Sequence, residues 1–108
     1  MIVNVCPAAT TSASPDLVWK VITDLDRWRE WTDAVVAEAE PLGAVQPGQH
    51  VRLHAPRLNF LKFTIDIGDI DPQHRWIELV ARFPFGIVNY ERLTLTETEE
   101  GGTLVRFN

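Results

Sequence analysis

The twenty residues WIELVARFPFGIVNYERLTL, Trp76 to Leu95, decide the fold. Two runs that alternate apolar and polar residues flank the turn signal Pro84-Phe85-Gly86, so the segment reads as an antiparallel hairpin. Around that turn Ile77, Leu79 and Ala81 stand opposite Leu93, Glu91 and Asn89 on one face, while Glu78 meets Arg92 and Trp76 meets Thr94 on the other. A slip of one residue would break the charge pair and turn the apolar set to water, so the register is strongly specified. The next hairpin obeys the same rule. Leu93 and Leu95 share a side with Phe107 and Val105 only if the loop is Glu99-Glu100-Gly101, with Gly101 in a left-handed bulge position. Upstream, Leu61, Phe63, Ile65 and Ile67 point inward and Lys62, Thr64 and Asp66 outward. Val35, Ala37 and Ala39 face Leu53 and Val51, with Glu38 opposite Arg52. Turn residues at Pro41, Gly43, Pro47 and Gly48, and again at Gly68, Asp71 and Pro72, separate these runs. Six strands follow Ala34, in a curved sheet with one apolar and one wet face.

Before Ala34 the pattern differs. Ile2 to Thr11 reads as a first strand, confined to an edge or broken by a bulge because Pro7 has no amide hydrogen to give to a ladder. Ser14-Pro15-Asp16 supplies an N-cap, a proline at the first helical position and an acid facing the positive helix end. Leu17, Val18, Val21, Ile22 and Leu25 then recur at helical spacing. Asp24 or Asp26 caps a second short helix, Arg27 to Trp31, in which Trp28 and Trp31 share a face. The expected class is α+β, a seven-stranded antiparallel sheet with two short helices after its first strand. At 108 residues, 45% hydrophobic and 23% charged, the chain is one folded domain. Fifteen acidic against ten basic residues, net charge -5, disfavour nucleic acid and anionic membranes as partners. One cysteine makes no disulfide framework, and no apolar run approaches the roughly 18 residues of a membrane span. Met1 to Cys6 lacks the charged start of a signal peptide. A cytoplasmic protein without membrane insertion is the expectation.

The inner face so assembled consists of Val35, Ala37, Leu53, Phe63, Ile65, Ile77, Leu79, Leu93, Leu95, Val105 and Phe107. Exposed large apolar side chains forfeit about 1.5 to 3 kcal/mol each, so this face needs a cover. Two short helices look too small to provide it, and the sequence stops at Asn108. The order Ser14-Pro15-Asp16-Leu17-Val18-Trp19, Thr23-Asp24, Arg27-Trp28-Arg29-Glu30-Trp31, the acidic strand Val35 to Glu40, and Gly101-Gly102-Thr103-Leu104-Val105-Arg106-Phe107 resembles the START-like SRPBCC superfamily, in particular its small polyketide cyclase/dehydrase-like members. That resemblance implies a helix-grip architecture, in which a long C-terminal helix closes an apolar cavity over the concave sheet. It also places Trp19, Trp28 and Trp31 in core and cavity-rim packing. The expectation for this sequence is a single START-like domain, residues 1–108, ending before that helix, with a homodimer as one way to cover the face.

Eight residues form the expected ligand site on the concave face: Leu53, Phe63, Ile65, Leu79, Ala81, Asn89, Glu91 and Leu93. Asn89 and Glu91 are its polar pair, able to anchor a hydroxyl or carbonyl; if the strand bulges or ends there, both reach water instead. Glu91 is also the one candidate acid or base, since a carboxylate among apolar groups is a proton carrier in waiting. No metal or other cofactor is expected. His50 and His54 are about 13 Å apart at about 3.3 Å per residue, and Asp69-Ile70-Asp71-Pro72 beside His74 lacks the spacing of a cation loop. Cys6 has no activating neighbour, and there is no phosphate-binding glycine pattern. Trp76 falls on the outer face. The leading reading is binding of a small hydrophobic or aromatic molecule. The alternatives are a polyketide cyclase/dehydrase-like or hydratase-like enzyme using the same cavity, and an interaction module that receives a partner's amphipathic helix.

Overall fold

The structure, a computed structural model, describes residues 8–107. Alternation and turn chemistry produce seven strands in one antiparallel sheet: β1 (Ala8–Thr11), β2 (Val35–Glu40), β3 (His50–Ala55), β4 (Leu61–Asp71), β5 (Trp76–Arg82), β6 (Val88–Glu97) and β7 (Thr103–Phe107). Their order is β1-β7-β6-β5-β4-β3-β2, so every sequential pair after β2 is a neighbour and β1 closes the far edge against β7. The helix α1 (Pro15–Ile22) and a 3-10 helix (Leu25–Glu30) lie between β1 and β2. The part of the expected first strand from Ile2 to Pro7 lies outside the described residues.

The register from Trp76 to Phe107 is the one the sequence predicts. Ile77 pairs with Leu93, Leu79 with Glu91, Ala81 with Asn89 and Glu78 with Arg92, and Leu93 and Leu95 pair with Phe107 and Val105. Arg92 Nη2 donates to Glu78 Oε1 at 2.5 Å and its guanidinium lies 4.2 Å from the Trp76 ring centre, which accounts for that outer-face aromatic. Gly101 takes φ 82°, the left-handed value a side chain resists. Gly102 meets a different demand, because a Cβ there would collide with the carbonyl oxygen of Thr11 where β1 ends. Thr103, fully buried, then donates its hydroxyl to Ala13 O at 2.8 Å and ties the same corner.

Three expectations need correction. In β2 a bulge between Val36 and Glu38 changes the phase: Val36 pairs with Leu53 and packs on the core, Val35 pairs with His54, and Ala37 is exposed. One extra residue on a strand reverses the facing of everything on one side of it, while Glu38–Arg52 and Ala39–Val51 beyond the bulge pair as the sequence predicts. Gly68 is no turn residue either. It lies in a second irregularity, between the pairs Ile67–Leu79 and Ile70–Ile77, and β4 continues to Asp71. The segment holding Trp28 is a 3-10 helix that starts at Leu25 and ends at Glu30, where the sequence placed Arg27 to Trp31. Its N-cap is Asp24, whose Oδ1 accepts from Asp26 N at 3.0 Å.

The inner face is less open than the sequence implies. Leu53, Ile77, Leu79, Leu93 and Leu95 are buried in one cluster with Ile22, Leu25 and Trp28 from the helical segments, and Val18 and Trp19 pack against it. Trp28, 3% exposed, donates Nε1–H to Ile22 O at 2.8 Å and meets Trp31 edge-on, with ring centres 5.5 Å apart. Trp31 in turn stacks on Phe107 at 6.5 Å. Phe63, Ile65, Val105 and Phe107 stay half-buried.

Candidate functional site

Strand parity brings all eight expected site residues to one face. Reading across the sheet, Leu53 faces Phe63, Ile65 faces Ala81, Ala81 faces Asn89, Leu79 faces Glu91, and Leu93 adjoins Ile77. Leu53, Leu79, Ala81 and Leu93 are buried and form the floor. Phe63, Ile65, Asn89 and Glu91 are half-buried and are the members within reach of a ligand.

The polar pair is organised. Asn89 Nδ2 donates to Glu91 Oε1 at 2.8 Å, because alternate residues of a strand point the same way. An ionised carboxylate only accepts, so it draws the amide nitrogen and turns Asn89 Oδ1 away. That oxygen is buried and has no partner among the described residues. A buried acceptor left unmade costs on the order of 1–3 kcal/mol, so a further donor would be stabilising here, as it would at Gln49 Oε1 outside the site.

The alternation 77-79-81 continues to Phe83, a residue not among the eight expected ones. Phe83 stacks on Phe63 with ring centres 5.1 Å apart and planes 24° from parallel. The two rings help line a cavity of about 560 Å³ at the end of β3, β4 and β5, touched by residues of both sheet faces, among them Leu53, Arg52, Lys62 and Arg82. A larger cleft of about 740 Å³ lies apart from the site, between the helical segments and β2. Lys20, Asp24, Asp26, Arg27 and Glu38 line it together with the apolar Leu25, Val36 and Leu42, and none of the eight expected site residues reaches it.

The outer face carries the charges. Arg52 Nη1 donates to Glu38 Oε2 at 3.0 Å. Asp66 accepts from Arg82 Nε at 3.0 Å and pairs with His50 Nδ1 at 2.5 Å. Partial burial pushes the Asp66 carboxyl up, but the hydrogen bonds from His50 and Arg82 outweigh it and hold the group below its ordinary value. His54 is not beside His50 in any shared site; it stacks against Phe60 at 6.5 Å. His74 Nδ1 lies 2.7 Å from Asp71 Oδ2 within its own turn.

A family profile described as "Polyketide cyclase / dehydrase and lipid transport" matches residues 7–108. No curated protein matches the chain. Among solved structures it is similar to the crystal structure of DynU16, a protein of the dynemicin biosynthetic locus, with a TM-score of 0.73, 21% sequence identity and 96% of this chain covered. The chain spans 36% of the DynU16 chain, and at that identity the likeness shows the fold.

Proposed function

Since the chain belongs to the polyketide cyclase/dehydrase and lipid transport family, we propose that it binds a small hydrophobic or aromatic molecule on the concave face, with the ligand's apolar body against Phe63 and Ile65 and a hydroxyl or amine at the Asn89–Glu91 pair. The observation that carries this reading is the buried Asn89 Oδ1, which has no partner among the described residues, on the strand face that Asn89 shares with Leu79 and Ala81. An O–H or N–H entering there satisfies an acceptor that the protein alone leaves empty. Supporting it is the make-up of the face, mostly apolar with a few convergent polar atoms, as small-molecule sites are.

A second reading, an enzyme of the cyclase/dehydrase kind, is supported by Glu91. Asn89 holds one of its carboxylate oxygens, which orients the group for proton transfer on a ligand bound beside it. Substitution separates the two readings, because Glu91→Gln keeps the size of the side chain but carries no proton.

The test uses fluorescence of an environment-sensitive hydrophobic dye and titration with naphthol and naphthalene. Phe63→Asp abolishes dye uptake, whereas Thr96→Lys, on the outer face of β6 and away from the cavity, leaves it intact. Asn89→Leu weakens naphthol about tenfold, the worth of one hydrogen bond, and spares naphthalene. Equal effects of Phe63→Asp and Thr96→Lys would overturn the assignment of the face, and equal loss of both aromatic probes in Asn89→Leu would remove the pair from the site.

A further inference from the structure

Two hairpin tips sit side by side at one end of the sheet. Thr64 pairs with Arg82 and the Phe63 and Phe83 rings stack, so the β3–β4 and β5–β6 turns project together. From them Leu58, Phe60 and Phe85 stand out into solvent, 62%, 66% and 98% exposed. Phe60 and Phe85 have φ of 55° and 67°, in the left-handed region that a large side chain adopts only at a cost. Phe85 gains no burial in return, and Phe60 only its stacking on His54.

The charge around these tips runs against the rest of the chain. His54 to Phe63 and Leu79 to Tyr90 contain no Asp or Glu, although the protein has fifteen acidic residues and a net charge of -5. The same two segments carry Arg57, Lys62 and Arg82. Arg57 is 3.8 Å from Asp33, Arg82 is bonded to Asp66, and Lys62 is exposed with no ion-pair partner among the described residues. Two of these cations therefore have a carboxylate beside them, and Lys62 is the one left unpaired beside the apolar tips.

We propose that this end of the sheet docks on an anionic lipid membrane, Leu58, Phe60 and Phe85 entering the interfacial layer while Arg57 and Lys62 meet lipid phosphates. Separate side chains at the ends of hairpins suit a soft, apolar medium, and cationic side chains with long stems reach back to the headgroups. A second copy of the chain is the poorer occupant, because it would set one unpaired Lys62 against another with no carboxylate to meet either. The docking is peripheral: among the described residues no helix is long and apolar enough to cross a membrane. None of the three inserting residues belongs to the ligand site, although Lys62 lines the cavity beside Phe63.

Co-sedimentation with phosphatidylcholine vesicles, with and without phosphatidylserine, tests this. The full chain binds the phosphatidylserine vesicles and is released by salt. Lys62→Glu weakens binding about thirtyfold, a reversal of two elementary charges at about 1 kcal/mol each. The double variant Phe60→Ser, Phe85→Ser abolishes binding while melting as the parent does, since both rings are exposed. In Phe85→Trp, lipids brominated in their acyl chains quench tryptophan emission beyond the quenching of the native protein. Absence of binding to phosphatidylserine vesicles, or binding unchanged in these variants, overturns the proposal. So does self-association that Phe85→Ser removes, which would give the tips to a protein partner.

Discussion

Replacing Gly102 by alanine adds one methyl group at the corner where β1 meets β7. That methyl would overlap the Thr11 carbonyl oxygen and sit 3.2 Å from Ser12 Cα and 3.3 Å from Thr11 C, all of them backbone atoms with no rotamer to yield. Relief requires the end of β1 to move away, and that strains the Thr11–Thr103 pair and the 2.8 Å bond from Thr103 Oγ1 to Ala13 O. Overpacking at a rigid site costs about 1–3 kcal/mol, and the threatened hydrogen bond about 1 more. A total near 3 kcal/mol lowers the melting temperature by about 10–20 °C in a domain of this size. Gly101→Ala is the internal control. Its φ of 82° makes alanine unfavourable by about 1–2 kcal/mol, but nothing lies within 4 Å of the new methyl, so its penalty is the smaller. Thermal melts followed by circular dichroism measure both. If Gly102→Ala melts within a couple of degrees of the parent, or above Gly101→Ala, the corner is not closed as described.

Trp28→Phe leaves the buried Ile22 carbonyl without its 2.8 Å donor and should cost about 1–3 kcal/mol by urea denaturation; an unchanged midpoint would show that the indole nitrogen contributes nothing. Asp66 is lowered in the folded state, so its contribution to stability is complete above the unfolded carboxylate value and fades as pH falls through it towards the folded one. Asp66→Asn therefore has a flatter stability profile on the acid side than the parent. Asp71, lowered by the His74 hydrogen bonds, and Glu30, lowered by Arg27, titrate alike in both proteins and cancel in the difference. Parallel acid profiles for parent and variant would contradict the pairing.

What the sequence discloses and what it hides have physical causes. The β5–β6 register is legible because a shift there costs twice, once in Glu78–Arg92 and once in Ile77–Leu93. At β2 the run Val35-Val36-Ala37 has no such penalty, since either phase turns an apolar side chain inward, and the bulge that chooses between them is a backbone event. Gly101-Gly102 is visible as a pair, yet only the fold tells that one glycine serves a dihedral angle and the other a close approach. The site follows the same division. Parity alone puts Asn89 and Glu91 beside Leu79 and Ala81, and their contact is implied by two residues' spacing on a strand. The extent to which α1 and the 3-10 helix bury Leu79 and Leu93 is not implied, because alternation names a face without giving its curvature. The exposure of Phe60 and Phe85 is equally hidden, since their positive φ angles belong to residues that rarely adopt them.

The pairing of β1 with β7 sets a timetable for biosynthesis. Thr11 waits for Thr103 and Ala8 for Arg106, more than ninety positions away. At roughly 5–20 residues per second of translation, the first strand made spends about 5 to 20 s without its neighbour, while β2 to β6 zip up behind it, each beside the one just made. A nascent chain whose β6 has left the ribosome while β7 has not therefore displays two orphan edges at once, β1 and the far side of β6, and this is when it is most exposed to pairing with a stranger.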